Sequence, residues 1–384
     1  MTSNVRLSPA EAPGTTSGEH ADEHADEHAE KRLRVLALLD AEGFDAVALT
    51  SPAALAWYLE GARTHVSLAA PPIVAAVVSR GEDRVHVTSN EAHRLVGEEL
   101  PAWAHVVEHP WHASVVAAAE ADAHDAGGGP ESRLEDGLRA ARQELLPPEV
   151  GRFRELGHDV ARLLTQTLAK ASPQDTERAL AARLTAGIVE LGAEPVVVLA
   201  GGESRRMARH PLPTSAPLGN RAMVVVCARR HGLILNASRW IRFGERPASE
   251  LDADLRILRV EAAFLEASRP GSSLAKAFAS GIAAYAENGF SPDEWTRHHQ
   301  GGVAGYAGRD PRAAPGIDPA LGTDVRLGTN VAFAWNPTAP GCKVEDTILS
   351  GASGFEVLSL DPEWPTVAVD VAGQRLDRPD VLEL

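Results

Sequence analysis

Apolar positions along the chain recur with two periods, and the switches between them outline the elements. After a polar beginning, Leu33, Val35, Leu36, Leu38 and Leu39 form one helical face, and residues 44–51 follow as a short apolar strand. Residues 72–80 and 84–90 read as a strand pair around a Gly81-Glu82-Asp83 turn. Segments near 114–122 and 133–145 return to the helical period. This alternation predicts a first α/β domain over residues 29–147, with Pro147-Pro148 as a natural boundary. Two amphipathic helices, 149–171 and 175–192, open the second domain; Ser172-Pro173 separates them, and Asp175 and Thr176 are candidate caps. A buried strand over 195–203 comes next, then paired strands over 222–242. Helices over 249–268 and 273–288 are broken by Pro270-Gly271, and strands with turns fill 330–360. Helices, strands, helices and strands in that order give an α+β pattern over residues 148–384.

Composition narrows the function classes. The 384 residues are enough for two domains with cores, and 44% hydrophobic content fits a globular chain. A formal charge of -16 repels phosphate backbones, and the Arg pairs at 205–206 and 229–230 are too sparse to form a basic patch, so nucleic acid is not expected as a partner. No apolar run reaches the length of a membrane span, and the N-terminus lacks the apolar core of a signal peptide, so a cytoplasmic location is the default expectation. With only Cys227 and Cys342, no disulfide framework is expected. Residues 1–28 read as a disordered acidic and His-rich tail without a catalytic role. Within it, His20, His24 and His28 would share a face if helical, a spacing able to bind a divalent metal; the plainer reading is a solvated lead-in to the next helix.

Several motifs, in the right order from about residue 150 to 362, carry a resemblance. Residues 223–241 read as strand, turn and strand, with Gly232-Leu233 ahead of Asn236-Ala237-Ser238-Arg239. His298-His299-Gln300-Gly301-Gly302-Val303-Ala304-Gly305-Tyr306 is a His and Gly-rich turn; Ala334-Trp335-Asn336-Pro337 and Glu345-Asp346 follow. Together they resemble the creatinase/aminopeptidase P/prolidase family of pita-bread enzymes, and residues 55–63 resemble a segment of that family's N-terminal domain. The resemblance implies a C-terminal pita-bread domain preceded by a smaller α/β domain. It also implies five metal-ligand positions, of which only Glu345 keeps its residue type. Asn236 and Asn336 replace carboxylates, Gly302 replaces a histidine, and Val225 falls near the first aspartate. Neutral amides are poor ligands for Mn, Zn or Co, so no metal and no other cofactor is expected.

The residues kept or substituted around that scaffold remain polar. In metal-free creatinase-like members the histidine matching His210 is the general acid/base, a role suited to imidazole. The resemblance therefore implies His210, His298 and Glu345 as catalytic, with Glu345 holding a cationic substrate group. It implies Asn236, Arg239, His299, Tyr306, Arg309, Asn336 and Lys343 as substrate-binding. Lys343 and Glu345 are two apart, so on a strand their side chains share a face. Cys342 beside Lys343 is a weaker nucleophile candidate, since alternation puts it on the opposite face. The expected function is metal-independent hydrolysis of a C–N bond in a small amide, amidine or modified amino acid. A lyase on the same site, or a non-catalytic peptide- or ligand-binding module, stays open. Family members are usually homodimers, and a homodimer with a small-molecule substrate is the expectation here.

Overall fold

The computed structural model describes residues 19–316 and 324–384, the side chains of 19–25 excepted. It divides into two compact units, Met1–Arg142 and Gln143–Leu384.

The first unit opens with helix α1 (Glu19–Glu42). The lead-in was expected to be disordered, but residues 19–28 form the first turns of this helix. Long-range contacts explain the difference. Lys31 is fully buried and donates to Glu27 at 2.5 Å and to the Trp57 carbonyl at 2.6 Å. His28 lies 3.0 Å from Asp83 and stacks on Trp103 at a ring separation of 3.6 Å. Residues 1–18 and the side chains of His20 and His24 lie outside the described residues, and with them the metal reading of the repeat.

Strand β1 (Ala46–Leu49), helix α2 (Pro52–Tyr58), β2 (Val74–Ser79), β3 (Arg84–Thr88), the short α3 (Ala92–Arg94) and β4 (Val106–His109) follow. The four strands form one sheet in chain order, antiparallel except for the β3–β4 pair. The 55–63 segment spans the buried end of α2 and the turn after it, and Ser51 caps the start of the helix. Helix α4 (Val115–Asp125) packs Ala119 and Ala123 against Ala46, Ala48, Ala75 and Val77, small residues that let helix and sheet approach closely, and α5 (Glu131–Gln143) ends the unit.

In the second unit α6 (Pro147–Leu168) and α7 (Glu177–Glu190) come first. Proline suits the first helical turn of α6, where its missing N–H costs nothing, and Thr176 caps α7. Strands β5 (Glu194–Gly201), β6 (Arg221–Arg230) and β7 (Leu233–Arg242) build the central antiparallel sheet. Helices α8 (Ala248–Ala267) and α9 (Leu274–Glu287) then lead to β8 (Val303–Ala304), β9 (Val331–Phe333) and the hairpin β10 (Thr338–Ala339)–β11 (Cys342–Lys343). After β12 (Ile348–Gly351) and β13 (Gly354–Val357) come β14 (Thr366–Val371), β15 (Gln374–Pro379) and β16 (Leu382–Glu383). Strand β16 runs parallel to β7 at the edge of the central sheet, and β8, β9, β12 and β13 form a second sheet. Between helices and sheets lies a core that includes Phe264, Phe278, Tyr285, Phe333 and Trp335. No helix of the described residues is long and apolar enough to cross a membrane.

Candidate functional site

Three histidines meet in the second unit, and an ion pair between loops explains how. His210 follows a short turn (Glu203–Arg205) after β5, while His298 and His299 follow another (Glu294–Arg297) after α9. Arg209 pairs with Glu294 and donates to Thr338 Oγ1 at 2.9 Å, which holds the two turns together. His210 Nε2 and His298 Nε2 are then 3.0 Å apart, and each of the three histidines offers a ring nitrogen within 4.8 Å of the others. His210 is exposed, His298 buried. Gln300 fixes the second turn by donating to the His298 carbonyl at 2.6 Å while accepting from the buried Tyr285 hydroxyl.

The two glycines beyond it are sterically required. A Cβ on Gly301 would stand 2.1 Å from the Ala334 carbonyl, and one on Gly302 would stand 2.4 Å from that of Pro311. Both have positive φ, 105° and 147°. The turn therefore lies directly on residues 334–335, just past β9, and on residues 311–313.

Glu345 lies beneath the turn and is 2% exposed. Arg309 donates to its Oε1 at 2.5 Å, while Lys343 and Ser238 donate to its Oε2 at 2.8 and 2.9 Å. Burial alone would raise its pKa. The Lys343 and Arg309 charges and these hydrogen bonds outweigh that and hold it well below the usual carboxylate range. Both oxygens of Glu345 thus accept from internal donors. Desolvation, reinforced by Lys343, lowers His298 to about 2. Desolvation and Arg309 lower His299 to about 4, and desolvation with Lys343 also lowers His210. All three imidazoles are neutral at pH 7.

The other expected residues divide. Asn336 Nδ2 lies 3.5 Å from His299 Nδ1, and its Oδ1 is buried without a partner. It belongs with the histidines. Asn236, Arg239 and Tyr306 are committed to internal bonds instead. Asn236 accepts from Cys227 Sγ at 3.1 Å and donates to the Ile234 carbonyl. Arg239 is buried against Asp346 and the Ser359 carbonyl. The Tyr306 hydroxyl donates at 2.5 Å to Glu149 at the start of α6. Burial pushes both thiols up to about 12, which leaves Cys342 and Cys227 inert as nucleophiles.

Sequence reasoning missed Ser238, Cys227 and Arg312. The first two had a signal in strand alternation. Cys227 is opposite Asn236 and Val225 opposite Ser238, so all four side chains share one face of the β6–β7 hairpin. Arg312 had none: it reaches the site because residue 312 bridges to Gly302, and its charge acts on His210 and His299.

No family model matches the sequence, and no curated protein matches it. Solved structures do. A prolidase from Pyrococcus horikoshii OT3 superposes with a TM-score of 0.69 at 16% identity, covering 87% of this chain and 99% of that one. An Xaa-Pro dipeptidase from Bacillus anthracis gives 0.67 at 16%, covering 93% and 100%. The N-terminal domain of the FACT complex subunit SPT16 from Cicer arietinum gives 0.61 at 13%, covering 87% and 96%. The chain has the two-domain pita-bread fold of the creatinase/aminopeptidase P/prolidase class, as its motifs implied.

A metal pair, which that class implies, does not fit the residues present. At the ligand positions that the motif resemblance implies stand Asn236, Gly302 and Asn336, with Val225 near a fourth, and the one carboxylate among them, Glu345, already accepts from two side-chain cations.

Proposed function

We propose that this site hydrolyses a C–N bond in a small amide or amidine without the metal pair of its fold class. The observation that carries the reading is the His210–His298 contact at 3.0 Å, an exposed neutral imidazole backed by a buried one. A neutral imidazole can take a proton from water as the oxygen bonds to the substrate carbon; His210 then returns it to the departing nitrogen as the C–N bond breaks. His298 orients the His210 ring. Arg309 and Lys343 supply fixed positive charge near the oxygen that becomes negative. The test is a screen of small amides and amidines with the full chain. A turned-over substrate is expected to keep its rate in a chelator, and His210→Ala is expected to lower kcat/KM about 10²- to 10⁴-fold. Loss of activity in chelator, or an unimpaired His210→Ala, sinks the mechanism.

A second reading has its own support. The SPT16 domain shows the fold in a subunit of a larger complex, and the internally bonded Asn236, Arg239 and Glu345 suit a rigid binding module. Tight binding of a small ligand without turnover would favour it.

A further inference from the structure

We propose that the His210–Glu345 site is built for a small carboxylate-bearing ligand with no free amine, an N-acylated amino acid rather than a zwitterionic dipeptide. The word substrate rests on the hydrolytic reading; the binding claim does not.

Charge comes first. Among the described residues, the charged side chains acting on the imidazoles are three cations, Lys343, Arg309 and Arg312, and one carboxylate, Glu345. The imidazoles are neutral, so the site is net positive and attracts an anion.

Unused hydrogen-bonding capacity points the same way. The Lys343 ammonium has three donors and one acceptor, Glu345 Oε2. Arg309 Nε is buried without an acceptor, and Arg312, exposed, has no partner among the described residues. Spare donors on three cations match the oxygens of a carboxylate. One spare acceptor is present as well, the buried Asn336 Oδ1 beside His299, which suits an amide N–H. Among the described residues the carboxylate that acts on the histidines, Glu345, already accepts from Arg309, Lys343 and Ser238 and is not free to take an ammonium group. That disfavours a free amine.

The rival occupant is a divalent metal on the three histidines. Their nitrogens are close enough for one. The charge balance decides against it, since a dication would sit among three fixed cations and a carboxylate they already neutralise.

The experiment is calorimetric titration of the full chain at pH 7.5 with N-acetylglycine, N-acetylglycinamide, glycinamide and zinc chloride. N-acetylglycine is expected to bind at least tenfold tighter than either amide and to weaken with added salt. Arg312→Gln, at an exposed position, is expected to weaken it at least tenfold, and Arg312→Lys to restore most of the affinity. Glycinamide binding as tightly, no response to Arg312→Gln, or no binding by any organic probe overturns the proposal. So does stoichiometric zinc uptake that His298→Ala abolishes. Carboxylate binding without turnover leaves the proposal standing and removes the hydrolytic reading; turnover of glycinamide does the reverse.

Discussion

Glu345 is a buried carboxylate that accepts from Arg309, Lys343 and Ser238. Lys343 and Arg309 both form ion pairs with it. The histidines have a measurable consequence for stability. His298 and His299 are held at about 2 and about 4, below the ordinary imidazole value near 6.5. The unfolded chain therefore takes up protons first as pH falls. Stability is full above about pH 6.5 and declines as pH drops toward and through about 4. His210 and His86, lowered in the same direction, add to this window. Glu345, depressed far below its usual value, withdraws its contribution only at lower pH. Urea unfolding measured from pH 4 to 8 should show that slope, and His299→Asn should make it shallower. An unchanged slope would mean that His299 titrates normally.

At the scale of elements, the His-Gly turn is the sharpest case. The sequence reading placed glycines there for close backbone approach, and the structure shows which atoms approach. Gly301→Ala would drive a Cβ onto the Ala334 carbonyl at positive φ, whereas a Cβ on Gly305 meets nothing within 4 Å. Thermal unfolding should therefore separate them: Gly301→Ala is expected to cost more than about 3 kcal/mol and Gly305→Ala less than about 1. Most helices were legible because one face of each is apolar with a clear period, and β6 and β7 because both are buried along nearly their whole length. Strands β14, β15 and β16 were not, because β14 and β15 are largely half-exposed and their pairing lies along the chain end, where the pattern is mixed. The early start of α1 was hidden because Glu27, His28 and Lys31 read as a solvated run until their partners Trp57, Asp83 and Trp103 are known.

At the scale of the second unit, a buried ion network joins its layers. Arg378 on β15 pairs with Glu261 on α8 and with Asp346, which also pairs with Arg239 on β7. All four residues are at most 2% exposed. Removing one charge strands the others in a dry interior. Arg378→Met is expected to cost about 3–5 kcal/mol in denaturant unfolding of the full chain. A loss below about 1 kcal/mol would mean that water reaches the network.

By itself the sequence determined the class of fold, because apolar periodicity and motif order are local properties of the chain. It also singled out His210, His298, Asn336, Lys343 and Glu345, since substitution at a known pattern is visible residue by residue. Only the tertiary structure decided what those residues do for one another. It paired Arg239 with Asp346 and Tyr306 with Glu149, placed Ser238 and Arg309 on Glu345 beside Lys343, and bridged residue 312 to Gly302. The physical reason is that charge compensation and burial depend on distances between segments far apart in the chain, which no local pattern encodes.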